Sequence, residues 1–178
     1  LEGFALPYGD VAVGGWRNTP YVVIQNVGAY LDVPRFLDGS HPVRDAADAD
    51  AYCQRLSQMA SQLDAELEHI ARAEAAGLIP PDFLLKRTID QLERSITDFA
   101  NDGGSLLTSL TRRTQNIPGD WQARASAIMA QGVLPALKRQ LATMKRQLAL
   151  ADSSPGIGSR PHGMEWYSWA LRAATCCC

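Results

Sequence analysis

The spacing of apolar residues predicts an all-α fold: a helical bundle with two long helices and an antiparallel helical hairpin, forming part of a larger α-helical fold. Three observations predict it. Tyr52, Leu56, Met59, Leu63, Leu67, Ile70 and Ala73 recur at intervals of three and four, which lines them along one face of a long helix. The connection Gly77-Leu78-Ile79-Pro80-Pro81 to the next periodic segment is short enough to imply antiparallel neighbours. A second long pattern starts after Asp120 and carries Trp121, Ile128, Met129, Val133, Leu134, Leu137, Leu141, Met144 and Leu148 inward.

Each element can be justified in order. Leu1 to Gly15 is glycine-rich without a helical period and reads as loop or short extended chain. Thr19-Pro20 offers a capping hydroxyl followed by a first-turn proline, which predicts a helix from Pro20 to about Leu31. Tyr21-Val22-Val23-Ile24 would equally suit a strand. Val33-Pro34 interrupts the helix, because the residue before proline avoids helical geometry. After the turn cluster 38–42, Asp45, Asp48 and Asp50 crowd the start of the first long helix, where carboxylates suit the positive end of the helix dipole. Gly77 ends that helix. The next begins near Asp82, with Phe83, Thr88, Ile89, Leu92, Ile96 and Phe99 inward, and Asn101-Asp102-Gly103-Gly104 stops it. Ser105 caps a shorter helix that ends before Pro118-Gly119. Asp120 caps the second long helix, which Pro135 should kink. A loop from Ser153 to Pro161 precedes a last helix from about Gly163 to Ala174. Residues 1–175 thus read as one all-α region, an incomplete portion of a larger domain.

The 178 residues suffice for one domain with a real core, and the apolar share of 46% and charged share of 20% are ordinary for a globular chain. A formal net charge of -2 argues against a nucleic-acid partner. No stretch approaches the length of a transmembrane helix. The chain begins at Leu1 with no leader, so its compartment stays open between the cytoplasm and the periplasm or exterior. Cys53 reads as a small buried hydrophobe. Cys176, Cys177 and Cys178 read as a truncation or cloning scar, with lipidation or metal capture as the other account.

No complete catalytic or metal centre is legible. His41, His69 and His162 are far apart, and no second histidine follows His69 at helical spacing, so no metal ligand is assigned and no cofactor is expected in this chain. His41 sits in a turn and reads as structural or exposed. Asp45, Asp48, Asp50, Asp64, Glu66 and Glu68 read mostly as a solvated face, as do Lys138-Arg139 and Lys145-Arg146. Gly156-Ile157-Gly158-Ser159 lacks the preceding strand of a nucleotide-binding loop. The segment Pro161 to Trp169 stands out. It concentrates Trp166, Tyr167 and Trp169 at a helix start beside His162, where a helix N-terminus can face an anionic group; the aromatics could equally be core.

Several stretches resemble one bacterial family. These are Gln25-Asn26-Val27-Gly28-Ala29-Tyr30-Leu31-Asp32-Val33-Pro34-Arg35-Phe36-Leu37, then Asp48 to Leu56, then Pro161-His162-Gly163-Met164-Glu165-Trp166-Tyr167 with Ala170-Leu171-Arg172. Together they resemble the bacterial domain-of-unknown-function family eight-eight-five, whose members look like α-helical zincin-type metallopeptidases. The resemblance implies a metal centre built on a His-Glu-x-x-Pro-Gly-His element that nothing in this chain matches. It therefore implies an N-terminal, non-catalytic portion of a zinc-dependent peptidase, partnered by the remainder of its parent chain. His162, Tyr167 and Trp166 would line one wall of a peptide-binding cleft. A stand-alone helical binding or scaffolding module without chemistry is the other reading.

Overall fold

The structure, a computed structural model, describes residues 4–6, 9–11, 20–101 and 103–175. The triple-cysteine tail lies outside them. A short antiparallel ribbon opens the chain, β1 (Phe4–Leu6) against β2 (Gly9–Val11), with Ala5 opposite Asp10. Among the described residues all other regular structure is helical, so the all-α prediction holds.

The first predicted helix is displaced. Residues 20–28 are not helical, because Ile24 and Val27 exchange both backbone hydrogen bonds (3.0 and 3.1 Å) around Gln25-Asn26. This tight turn buries Val23 and Ile24. Gly28, at φ 137°, then swings the chain into α1 (Ala29–Gly39), a backbone conformation that L side chains rarely adopt. Pro34 lies inside α1 rather than ending it. Burial of Tyr30 and Leu37 on one face of α1 outweighs the local penalty of the proline.

Helix α2 (Ala46–Ala75) matches its pattern closely. The Asp45 carboxylate caps it by accepting from the Asp48 amide at 2.9 Å, and Gly77 follows its end at φ 79°. Tyr52, Leu56, Met59, Leu63, Ile70 and Ala73 are buried, while Leu67 is half-buried. Helix α3 (Asp82–Ala100) presents Leu85, Thr88, Ile89, Leu92 and Phe99 to the core, but Phe83 faces outward because Leu85 holds the inward position of the first turn. Helix α4 (Gly104–Arg113) starts after left-handed Gly103. Ser105 is not its cap. The Asp98 carboxylate accepts from the Ser105 amide (3.2 Å) and hydroxyl (2.9 Å) instead.

The second long segment is α5 (Trp121–Ile128), a π-helical turn over Met129–Val133, and α6 (Leu134–Leu148). Pro135 has no N–H to return to the Gln131 carbonyl, and the wider turn just before it absorbs that loss without breaking the helix. Gly132 faces Ala60 across the seam, where an added Cβ would meet the alanine methyl at 3.4 Å.

Charge pairs reveal the helix directions. Asp50, Asp64 and Glu74 on α2 pair with Arg124, Arg139 and Arg146 on α5 and α6. Partners advance together along both chains, so α5–α6 runs parallel to α2. The α3 start bonds the loop after α6 (Asp82 amide to the Asp152 carbonyl, 2.9 Å), and Glu93 pairs with Lys145, so α3 runs antiparallel to α6. Helix α6 packs on both α2 and α3, most extensively on α3, so the two helices joined by the short connection run antiparallel but are not the close neighbours it implied. The basic stripe of α6 and the acidic stripe of α2 therefore meet each other, largely through Arg139 and Arg146. Solvent screens these exposed bridges, so they orient the helices more than they stabilise them.

Candidate functional site

The C-terminal corner holds the residues singled out by the sequence. Arg160, almost fully buried, is its anchor. Its guanidinium donates to both oxygens of Asp152 (2.9 and 2.8 Å) and to the Ser154 carbonyl (3.0 Å). That guanidinium holds the Asp152 carboxyl below its ordinary range. Burial pushes the neighbouring Tyr21 phenol up, against the opposing pull of Arg160. A 3-10 turn over Ile157–Ser159 leads to His162, which takes a left-handed conformation (φ 56°). There α7 (Gly163–Thr175) begins. A side chain at Gly163 would overlap the Ile157 carbonyl oxygen, so the helix start sits tightly on the turn.

Trp166 turns inward. It is 7% exposed and packs with Ala73 and Leu78, joined by Tyr21, Ala76 and Ile157. This fixes α7 to the end of α2. His162 and Tyr167 face outward, and Nδ1 of His162 lies 3.2 Å from a Glu165 carboxylate oxygen in the first turn. Tyr167 (50% exposed) shares its side of α7 with Met164 and Leu171, at spacings of three and four. The structure thus separates the three sequence-flagged residues: Trp166 is an anchor, while His162 and Tyr167 lie on the outer surface beside an apolar stripe.

A second feature escaped sequence reasoning. An open groove of about 380 Å³ runs between α1 and α2, lined by Asp32, Phe36, Arg55, Met59, Gln62 and Glu66 among others. Glu66 is only 3% exposed, so it departs from the solvated acidic face to which its position in the charge run assigned it. Its carboxylate accepts from the Ala29 amide (2.8 Å) and from the Gln140 side chain (2.9 Å), and so supplies α1 with the N-terminal acceptor that Gly28 cannot. His41 is buried too. Its Nε2 lies 3.0 Å from the Asp48 carbonyl and its Nδ1 3.2 Å from an Arg55 nitrogen, partners that assign the proton to Nε2. Arg55 also stands over the Phe36 ring at 5.8 Å. Arg113 reaches from α4 to the Leu37 carbonyl (3.0 Å) and the His41 carbonyl, closing the C-terminal end of α1 with a cation. The sequence signal for Glu66 was its spacing: it lies three residues after Leu63 and four before Ile70, on the buried row itself, and Leu67 one position on is only half-buried.

Among the described residues no three His, Cys, Asp or Glu side chains converge as metal ligands, and no helix is long and apolar enough to cross a membrane. Cys53 is buried and unpaired, and burial raises its thiol, the opposite of an activated nucleophile.

Comparison with known proteins places this architecture. No curated protein matches the chain. A crystal structure described as that of "the putative lipoprotein from Colwellia psychrerythraea" superposes with a TM-score of 0.80 over 86% of this chain, at 21% identity. At that identity the likeness shows the fold alone, and this chain spans 27% of the length of that one. The model of the family described as "Bacterial protein of unknown function (DUF885)" matches residues 9–176, and the chain belongs to that family.

Proposed function

We propose that this chain is a non-catalytic helical wall of a larger metallopeptidase-like protein and forms one side of a peptide-binding cleft. One observation carries the reading. The outer side of α7 exposes Met164, Tyr167 and Leu171 in a row, while Trp166 pins the same helix to the bundle. A rigidly mounted helix that offers apolar side chains outward is suited to contact a further layer or a bound chain. The tyrosine hydroxyl and the His162 ring at its edge add hydrogen-bonding groups for a peptide backbone. In this reading zinc and the residues that hold it belong to the remainder of the parent.

The test is zinc-dependent hydrolysis of a peptide mixture by a full-length parent that carries a His-Glu-x-x-Pro-Gly-His element. His162→Ala and Tyr167→Ala should raise KM by about tenfold and spare kcat, as loss of uniform binding does. An unchanged KM in both variants would remove the cleft-wall reading. The same stripe also suits a partner helix in a free-standing scaffolding module. Light scattering on the purified chain separates the two, since a defined self-associated species favours the module.

A further inference from the structure

A third groove, away from α7, has a chemistry of its own. It holds about 300 Å³ between α1, the C-terminal half of α3 and the start of α4, and its lining includes Leu31, Pro34, Arg35, Arg94, Asp98 and Phe99. Nearly every other arginine with a described side chain is engaged. Arg44, Arg124, Arg139, Arg146 and Arg160 pair with carboxylates. Arg113 and Arg72 donate to carbonyls, Arg87 to Gln25, and Arg55 meets His41. Among the described residues, Arg35, Arg94 and Arg112 alone donate no side-chain hydrogen bond to protein, and the first two line this one groove.

One carboxylate, that of Asp98, also belongs to the groove's lining. Asp98 lies four residues after Arg94 but turns its Oδ2 to the start of α4, where it accepts from the Ser105 amide and hydroxyl. That oxygen is committed to closing α4, and neither guanidinium donates a hydrogen bond to Asp98. Beside them lies apolar surface from Leu31 and Pro34 on α1 and Phe99 on α3. Arginine forks recognise planar carboxylates, and adjacent apolar side chains favour a ligand with a hydrophobic body.

We infer that the groove bearing Arg35 and Arg94 binds an organic carboxylate attached to an apolar group, of the kind presented by an acylated amino acid or the C-terminal residue of a peptide. The two arginines hold the carboxylate, and the apolar group rests on Leu31, Pro34 and Phe99. This site stands independently of the α7 cleft and requires nothing of the parent chain.

The test uses the chain itself with N-acetylphenylalanine as the probe, titrated while the arginine Nε–H resonances are followed by NMR. Arg35 and Arg94 should shift saturably, with a dissociation constant on the order of 1 mM. Arg35→Gln and Arg94→Gln should each weaken binding about tenfold, and N-acetylphenylalanine amide should bind no better than either variant. Arg112→Gln, outside the groove, should leave binding unchanged and serves as the control for a general loss of cationic charge. The inference is overturned if the amide binds as well as the acid, if the variants bind like the parent chain, or if no saturation is seen. It is overturned too if inorganic phosphate competes more tightly than the acylated amino acid, which would make the groove a plain anion site. Both variants alter exposed side chains, so circular dichroism should show an unchanged fold.

Discussion

Replacing Glu66 with alanine tests how α1 is held. The Glu66 carboxylate accepts from the Ala29 amide at 2.8 Å and from the Gln140 side-chain amide at 2.9 Å, both buried. Removing it orphans a donor at the head of α1 and another in the α6 core, each costing about 1–3 kcal/mol. Loss of a negative charge at a helix N-terminus adds about 0.3–1 kcal/mol. Glu66 borders an open groove, so water can enter and recover part of that sum. The expected net loss is about 2–4 kcal/mol, a large share of a typical domain stability of about 5–15. Glu66→Gln should behave differently. The oxygen facing Ala29 survives, and Gln140, whose own Oε1 is buried without a partner, can turn its amide to accept from the new side chain. That variant should lose about 1 kcal/mol or less. Urea unfolding followed by far-UV circular dichroism at fixed pH measures both, with an unchanged slope as the check on two-state behaviour. A Glu66→Ala loss below about 0.5 kcal/mol, or equal losses for alanine and glutamine, would refute the hydrogen-bond account.

Two further outcomes can be read in the same assay. Leu63 is fully buried, whereas Leu141, placed in the core by its spacing, is only half-buried. Leu63→Ala should therefore cost about 2–5 kcal/mol and Leu141→Ala clearly less, and a larger loss at Leu141 would contradict the packing described here. Stability should also fall in acid. Hydrogen bonds from Arg146 to Glu74, from Arg124 to Asp50 and from Arg160 to Asp152 hold these carboxyls below their ordinary range. A lowered folded value means the stabilisation is complete above the unfolded carboxyl range, near pH 4, and is lost as pH drops through the folded values. The urea midpoint should decline from about pH 5 downward, and Glu74→Gln should flatten that decline. An identical pH profile in Glu74→Gln would show that this pair does not contribute.

The sequence by itself determined the helical class, the acidic start of α2, its stop at Gly77 and the inward row from Tyr52 to Ala73, whereas the structure singled out Asp45 as the cap. These are local matters: a three-and-four period and a capping side chain operate within a few residues of chain. It also determined that α5–α6 would be one long helix despite Pro135, though not that a π-turn would absorb the proline. Only the tertiary structure decided the placement of α1, because the Ile24–Val27 turn and the Glu66 cap depend on partners up to 37 residues away. It alone decided which charges were surface decoration. Asp64 and Arg139 look alike in the sequence as solvated residues, yet they face each other across a parallel helix pair 75 residues apart. His162, Trp166 and Tyr167 stand within six residues of one another, but a helix turns successive side chains about 100° apart. One of them entered the core, two stayed outside, and the arginines left without partners came together from α1 and α3. Spacing along a helix sets the direction of a side chain; what stands opposite it depends on how the helices pack.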